Sequence, residues 1–200
     1  MNYLAHLFLS QHHEGIMVGN FIADFVRKTT WQHLPLPIQQ GIKLHHEIDA
    51  FTDTHPRVRQ SVQRLRPNFQ KYSPVIVDVF YDHFLSVHWS KYSTQSLHDF
   101  CQEVYVVLEK YTEFLPIVMQ EYLPEMIARN WLFYYKEDYG VKRALQNLSR
   151  RSAHRKDLEN ALQDLNKDYA LYEADFLEFF PELLAQCNEL HKQLSVTNKQ

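Results

Sequence analysis

Residues 73–89 read SPVIVDVFYDHFLSVHW. This run predicts a mostly buried helix, with Ser73 as its N-cap and a proline in its first turn. Asp78 and Asp82 lie four residues apart and therefore share one face of that helix. Buried carboxylates are costly unless they are paired or bind a metal, and two like charges one turn apart repel. We therefore expect a cation between them, a metal ion being preferred over an Arg or Lys partner.

The rest of the chain also has helical patterns, with apolar positions three and four residues apart and no strongly alternating strand pattern. Pro56 marks another helix start, with Thr54 or His55 as the expected N-cap. We expect an all-α, single-domain helical bundle over residues 1–193 and a disordered tail at 194–200. The predicted helices cover residues 2–10, 18–29, 36–52, 56–66, 74–90, 95–112, 117–136, 140–149 and 153–192, the last with a break.

The composition limits the function classes. The 200 residues are 45% hydrophobic and carry a formal charge of −3, which predicts neither nucleic acid nor a membrane as a partner. No run approaches the roughly 20 apolar residues of a membrane span. Cys101 and Cys187 are isolated, which indicates a reducing compartment, so we expect a cytoplasmic protein. The oligomeric state stays open.

Other segments repeat the combination of histidine and aspartate. His45 and Asp49 are four residues apart on a predicted helix, and Asp53 lies one turn further along. Asp24 and His6 each lie among apolar residues and are expected to face inward. Taken alone, His6 is better explained as a histidine buried in the core, whereas the pair at 45 and 49 fits a surface ion pair and a functional site equally well.

Taken together, these residues predict a metal centre. Ten of the twelve histidines lie in the first half of the chain. Imidazole nitrogen with carboxylate oxygen is a ligand set for hydrolytic Mn, Fe, Zn or Mg centres. The candidate residues are His6, Asp24, His45, Asp49, Asp53, Asp78, Asp82 and His83.

A basic segment separates two of the candidate ligand segments. No Asp or Glu occurs from residue 54 to 77, a range that contains Arg57, Arg59, Arg64, Arg66 and Lys71. This excess of positive charge indicates an acidic or phosphorylated substrate, although a solvated helix face would produce the same pattern.

The chain resembles the acyl carrier protein phosphodiesterases. The resemblance is carried by the opening MNYLAH, by GNFIADF at 19–25, by the HxxIDxxTD pattern at 45–53, and by DxxxDHFL at 78–85 followed by His88 and Trp89. It covers roughly residues 1–185. It implies an all-helical fold related to the HD phosphohydrolases. The implied reaction cleaves the phosphodiester that joins 4′-phosphopantetheine to a serine of holo-acyl carrier protein.

With this resemblance, each candidate residue receives an expected role. A divalent ion, Mn²⁺ first with Mg²⁺ and Fe²⁺ as alternatives, is expected on His6, Asp24, His45, Asp49, Asp82 and His83. Asp78 or Asp53 is expected to orient a ligand or to act as general base. Arg57, Arg59, Arg64 and Arg66 are expected to dock the acidic carrier protein.

Two other functions remain open at this point. A metal phosphohydrolase for small molecules such as nucleotides would need the same ligands but no docking face for a protein. A helical binding module without activity would use the histidines and aspartates only for packing.

Overall fold

A computed structural model describes residues 1–27, 29–151 and 157–197. Within these ranges the chain forms a single all-helical domain without a β-strand, which confirms the predicted fold class. None of the described helices is long and apolar enough to cross a membrane. The helices are α1 (Tyr3–Phe8), α2 (Glu14–Ile22), α3 (Leu36–Thr54), α4 (Pro56–Phe69), α5 (Ser73–Val87), α6 (Leu97–Lys110), α7 (Ile117–Ala128), α8 (Asp138–Arg151), α9 (Ala161–Lys167) and α10 (Tyr169–Thr197).

Helix α5 lies at the centre of the bundle, as its apolar sequence predicts. It contacts α1, α4, α8 and α10. Phe80, Tyr81 and Phe84 are fully buried, and their rings pack against Tyr172 and Phe176 of α10 at centroid distances of 5.2–5.9 Å. Because aromatic side chains bury large apolar areas, this contact is a main source of the stability of the domain.

Two glycines allow α2 and α3 to cross at close range. A Cβ on Gly19 would lie 2.0 Å from the carbonyl oxygen of Ile38, and one on Gly41 would lie 2.1 Å from that of Ile16. Both distances are far below a van der Waals contact, so neither position accepts a side chain without separating the helices. The close crossing brings the residue after Gly19, which is Asn20, next to α3.

Several predicted helix ends are wrong. The helix predicted over 117–136 ends at Ala128, because Asn130 has a left-handed backbone (φ 45°), and a separate turn of 3₁₀ helix follows at Phe133–Lys136. The helix predicted over 18–29 instead spans Glu14–Ile22. The N-cap of α5 is Tyr72 rather than Ser73.

Two other predictions concern the helix start before Pro56 and the end of the chain. His55 caps α4 by accepting a hydrogen bond from the backbone N–H of Arg57, as predicted. The predicted break in the last helix separates α9 from α10 at Asp168. Residues 152–156 and 198–200 lie outside the described residues. The boundary at 193 and the disordered tail therefore stay predictions, although the described backbone is helical up to Thr197.

Candidate metal centre

Three of the predicted ligands converge at the place where α1, α2 and α3 meet. Nε2 of His6 lies 3.3 Å from Oδ1 of Asp49, and Nε2 of His45 lies 3.1 Å from Oδ2 of the same carboxylate. The two imidazole rings stack with centroids 4.0 Å apart. Both histidines are buried, whereas the Asp49 side chain is 38% exposed. The cluster is therefore held in the protein interior with one side accessible to substrate.

Asn20 orients both imidazoles. Its side-chain Oδ1 lies 2.8 Å from Nδ1 of His6, and its backbone carbonyl oxygen lies 2.8 Å from Nδ1 of His45. The amide is fixed in this direction because Nδ2 donates to the carbonyl oxygen of His6 and to Ser10. Since both partners are acceptors, each Nδ1 carries a hydrogen, and in the neutral imidazole each Nε2 can present its lone pair to a cation.

This arrangement fits a metal ion. Nε2 of His6 faces Asp49 and the carbonyl oxygen of Met1, and Nε2 of His45 faces Asp24 and Asp49. Groups of this kind repel each other unless a proton or a cation lies between them. Ligand atoms that bind the same metal ion at a distance of about 2.1 Å lie roughly 3.0–3.4 Å from each other. The separations of 3.1–3.3 Å between the imidazole nitrogens and the Asp49 oxygens fall in that range. His6, His45 and Asp49 can therefore bind a divalent ion without large rearrangement.

The protonation states of the metal-free cluster follow from burial and from its carboxylates. Burial lowers the pKa of His6 to about 4. Burial acts in the same direction on His45, but hydrogen bonds to Asp24 and Asp49 outweigh it and raise the pKa of His45 to about 9. Burial alone would raise the pKa of Asp49, yet the contacts with both imidazoles lower it. One proton on His45 therefore occupies the cluster at neutral pH.

Asp24 forms the outer side of the cluster. Its Oδ1 lies 3.2 Å from Nε2 of His45, and its side chain is 69% exposed. The hydrogen bond to His45 is the main reason why the pKa of Asp24 is lowered. Contrary to the expectation that it faces inward, Asp24 lies at the surface, where it can contact both an ion and a substrate.

The two aspartates of α5 contact the start of the chain and α1. The α-amino group of Met1 lies 3.1 Å from Oδ1 of Asp78 and 3.6 Å from Oδ1 of Asp49. Asp82 accepts hydrogen bonds of 2.7 and 3.2 Å from the backbone N–H groups of Leu4 and Ala5. The expected cation beside the pair is therefore an ammonium group, and Asp82 stabilises the first turn of α1, the helix that carries His6.

Burial determines the acidity of both carboxyl groups. It raises the pKa of Asp82 to about 7, although the two backbone N–H groups oppose this shift. It also raises the pKa of Asp78, and the neighbouring α-amino group opposes that change. A carboxyl group with a raised pKa is better suited to proton transfer near neutral pH than an ordinary aspartate.

The structure does not bring His83 or Asp53 into the cluster. Nδ1 of His83 donates to the carbonyl oxygen of Tyr135, and its Nε2 accepts from the hydroxyl group of Tyr169. Both ring nitrogens are thus satisfied in the core, and burial lowers the pKa of this histidine. Asp53 is exposed at the end of α3, where its backbone carbonyl oxygen accepts a hydrogen bond from Arg59.

The predicted basic face is partly neutralised by α10. Arg64 forms an ion pair with the buried Asp175, and Arg57 pairs with Glu178. Sequence patterns could not indicate these contacts because the partners lie more than 100 residues away. Arg59 and Arg66 are exposed on α4. Only part of the predicted positive charge is therefore available to another molecule.

A comparison with protein families identifies the chain. The family model described as acyl carrier protein phosphodiesterase matches residues 1–183. The chain belongs to this family. A relative named acyl carrier protein phosphodiesterase from Photorhabdus laumondii is 31% identical over 185 residues, which is 92% of this chain and 93% of the relative.

Two further relatives with the same name give the same result. The protein from Enterobacter sp. (strain 638) is 32% identical and covers 97% of this chain and 100% of its own length. The protein from Escherichia coli O157:H7 is 32% identical over 94% of this chain and 98% of its own length. The predicted family is thus confirmed. No solved structure matches the chain, and the predicted likeness to HD phosphohydrolases stays a prediction.

Proposed function

We propose that this protein is a metal-dependent hydrolase that converts holo-acyl carrier protein into apo-acyl carrier protein and 4′-phosphopantetheine. The observation that carries the proposal is the convergence of His6, His45 and Asp49 in a member of the acyl carrier protein phosphodiesterase family. A divalent ion bound there supplies positive charge at the phosphoryl oxygens and lowers the pKa of the attacking water.

The donor set favours Mn²⁺ or Fe²⁺ over Mg²⁺. Two imidazole nitrogens and one or two carboxylates suit a transition metal, whereas Mg²⁺ prefers oxygen ligands and retains several waters. We propose His6, His45 and Asp49 as ligands, with Asp24 as a further ligand on the accessible side. Asp82 and His83, which the sequence also predicted as ligands, have other hydrogen-bond partners.

The remaining carboxylates are assigned supporting roles. Asp78 is our candidate for the general base, because burial raises its pKa and it lies beside the α-amino group that also contacts Asp49. Asp53 lies one turn beyond Asp49 and is exposed, so it is the alternative. Asp82 is a positioning residue that acts through α1.

The carrier protein is proposed to contact the exposed positive charges of α4. Arg59 and Arg66 are the main candidates, while Arg57 and Arg64 are already paired with acidic residues of α10. Electrostatic attraction of this kind increases the rate of association with an acidic partner and is sensitive to salt. We place the reaction in the cytoplasm, since Cys101 and Cys187 are buried free thiols.

The test is conversion of purified holo-carrier protein to the apo form, followed by mass spectrometry, with and without added Mn²⁺. We expect release of 4′-phosphopantetheine that stops with a chelator and returns with Mn²⁺. Asp49→Asn should reduce the rate at least about a hundredfold. Asp99→Asn is the matched control, because Asp99 lies beside the exposed His98 at a distance of 3.4 Å on the surface of α6. Full activity of Asp49→Asn, or no release by the wild type, would contradict the proposal.

A further inference from the structure

A cleft opens directly beside the metal centre. It lies between the start of α1, the turn at Phe133–Lys136 and α8, and its walls are mostly aromatic and apolar. Asn2, Tyr3 and Asp24 line one end. Trp131 and Asn147 line both this cleft and a second, more open depression between α7 and α8. The two depressions therefore share part of their walls.

Asp24 connects the cleft to the cluster. Its carboxylate lies 3.2 Å from Nε2 of His45 and also forms part of the cleft wall. A phosphate group held at His6, His45 and Asp49 would therefore leave one of its substituents at the mouth of the cleft.

The charge of the cleft fits a neutral ligand. Asp24 and Arg143 are the charged residues among its described lining side chains. The guanidinium of Arg143 stacks over the ring of Trp131 at 4.5 Å and lies 3.2 Å from Glu125, a carboxylate that Arg129 also contacts at 3.4 Å. Its charge is therefore partly compensated, and Asp24 carries the opposite charge at the other end of the cleft. Asn147 provides an amide that can bind amide groups of a ligand.

We propose that this cleft binds the pantetheine arm of the substrate, an inference that rests on the proposed function. The arm is an uncharged chain in which two amides alternate with apolar segments, and its only charged end is the phosphate. Apolar and aromatic walls with a few amide groups match this chemistry. The arm runs from the cluster past Asp24 toward Trp131, and the carrier protein lies on the opposite side of the phosphate.

The decisive experiment measures binding of pantetheine, which lacks the phosphate, to the wild-type protein by saturation-transfer NMR. We expect saturable binding that Asn147→Trp weakens by about tenfold or more, because the larger side chain fills the cleft. Gln102→Trp is the matched control, since Gln102 is exposed on α6 and does not line the cleft. Tyr139→Ala is a second variant, which removes part of the cleft wall. Because Tyr139 is 57% exposed, we expect this variant protein to fold normally.

Kinetics with holo-carrier protein separate this inference from the proposed function. Asn147→Trp should lower kcat/KM by about tenfold or more while metal content stays at the wild-type level. The cleft assignment would be overturned if the wild type turned over holo-carrier protein but did not bind pantetheine. It would also be overturned if pantetheine bound equally well to the wild type, Asn147→Trp and Tyr139→Ala. In both cases the proposed function would still stand. Pantetheine binding at the cleft without release of apo-carrier protein would support the cleft and contradict the proposed function.

Discussion

Replacement of Asn20 by alanine should weaken metal binding through the imidazole of His6, because the backbone carbonyl that contacts His45 is retained. The Asn20 side chain makes three buried hydrogen bonds of 2.7–3.1 Å, with Nδ1 of His6, with the backbone carbonyl oxygen of His6 and with the hydroxyl group of Ser10. At about 1 kcal/mol each, their loss should lower the free energy of unfolding by about 3 kcal/mol. Without its fixed acceptor, the His6 ring can rotate or change tautomer, and loss of such an orienting partner typically costs about 10- to 100-fold in metal affinity.

The assay is Mn²⁺ affinity by calorimetry together with urea unfolding. Ser10→Ala is the matched control, because it removes the hydrogen bonds of Ser10 to Asn20 and to the carbonyl oxygen of His6 but leaves the contact of Asn20 with the imidazole. It should destabilise the protein by about 2 kcal/mol and leave metal affinity nearly unchanged. Binding of Mn²⁺ by Asn20→Ala within about twofold of the wild type, or an equal loss of affinity in Ser10→Ala, would show that Asn20 does not orient His6 for the metal.

Three further predictions concern the proton on His45, the stability of α1 and the exposed arginines of α4. Because the pKa of His45 is raised from 6.5 to about 9, its stabilisation of the metal-free protein is complete below pH 6.5 and is lost as the pH rises through 9. Metal must displace that proton, so Mn²⁺ affinity should rise about tenfold per pH unit up to about 9, and a flat profile by calorimetry would contradict this. Asp82→Ala leaves two buried N–H groups of α1 without acceptors and should cost about 3 kcal/mol in urea unfolding; a loss below about 1 kcal/mol would contradict the capping role. Charge reversal at both Arg59 and Arg66 should raise KM for the carrier protein roughly fivefold at low salt without a change in metal content, and an unchanged KM would remove the docking face.

Much of the fold follows from local patterns. The apolar run at 73–87 predicts the buried helix at the centre of the bundle, and Pro56 marks the start of α4. The end of α7 could not be predicted, because it depends on the left-handed backbone of Asn130. Asparagine adopts this conformation more often than most residues, but a single asparagine in an otherwise helical pattern is too weak a signal to end the helix.

The candidate site is predictable where the ligands share a helix face. His45 and Asp49 are four residues apart, and the structure brings both to His6. Asp78 and Asp82 have the same spacing as His45 and Asp49, but this spacing does not show that Asp82 lies outside the metal cluster. The partners of Asp82 are backbone N–H groups of α1, some 78 residues away. The role of Asn20 could not be predicted either, since a neutral amide carries no metal-site signal and its contacts depend on the crossing of α2 and α3.

The proposed metal ligands are two imidazoles and one carboxylate. Pulsed electron paramagnetic resonance of the Mn²⁺-loaded protein, prepared with ¹⁵N-labelled histidine, tests this assignment directly. We expect hyperfine coupling to two imidazole nitrogens, of which one is lost in His6→Gln and the other in His45→Gln. Mn²⁺ bound with no histidine coupling, or with coupling that both variants retain, would show that His6 and His45 are not the ligands.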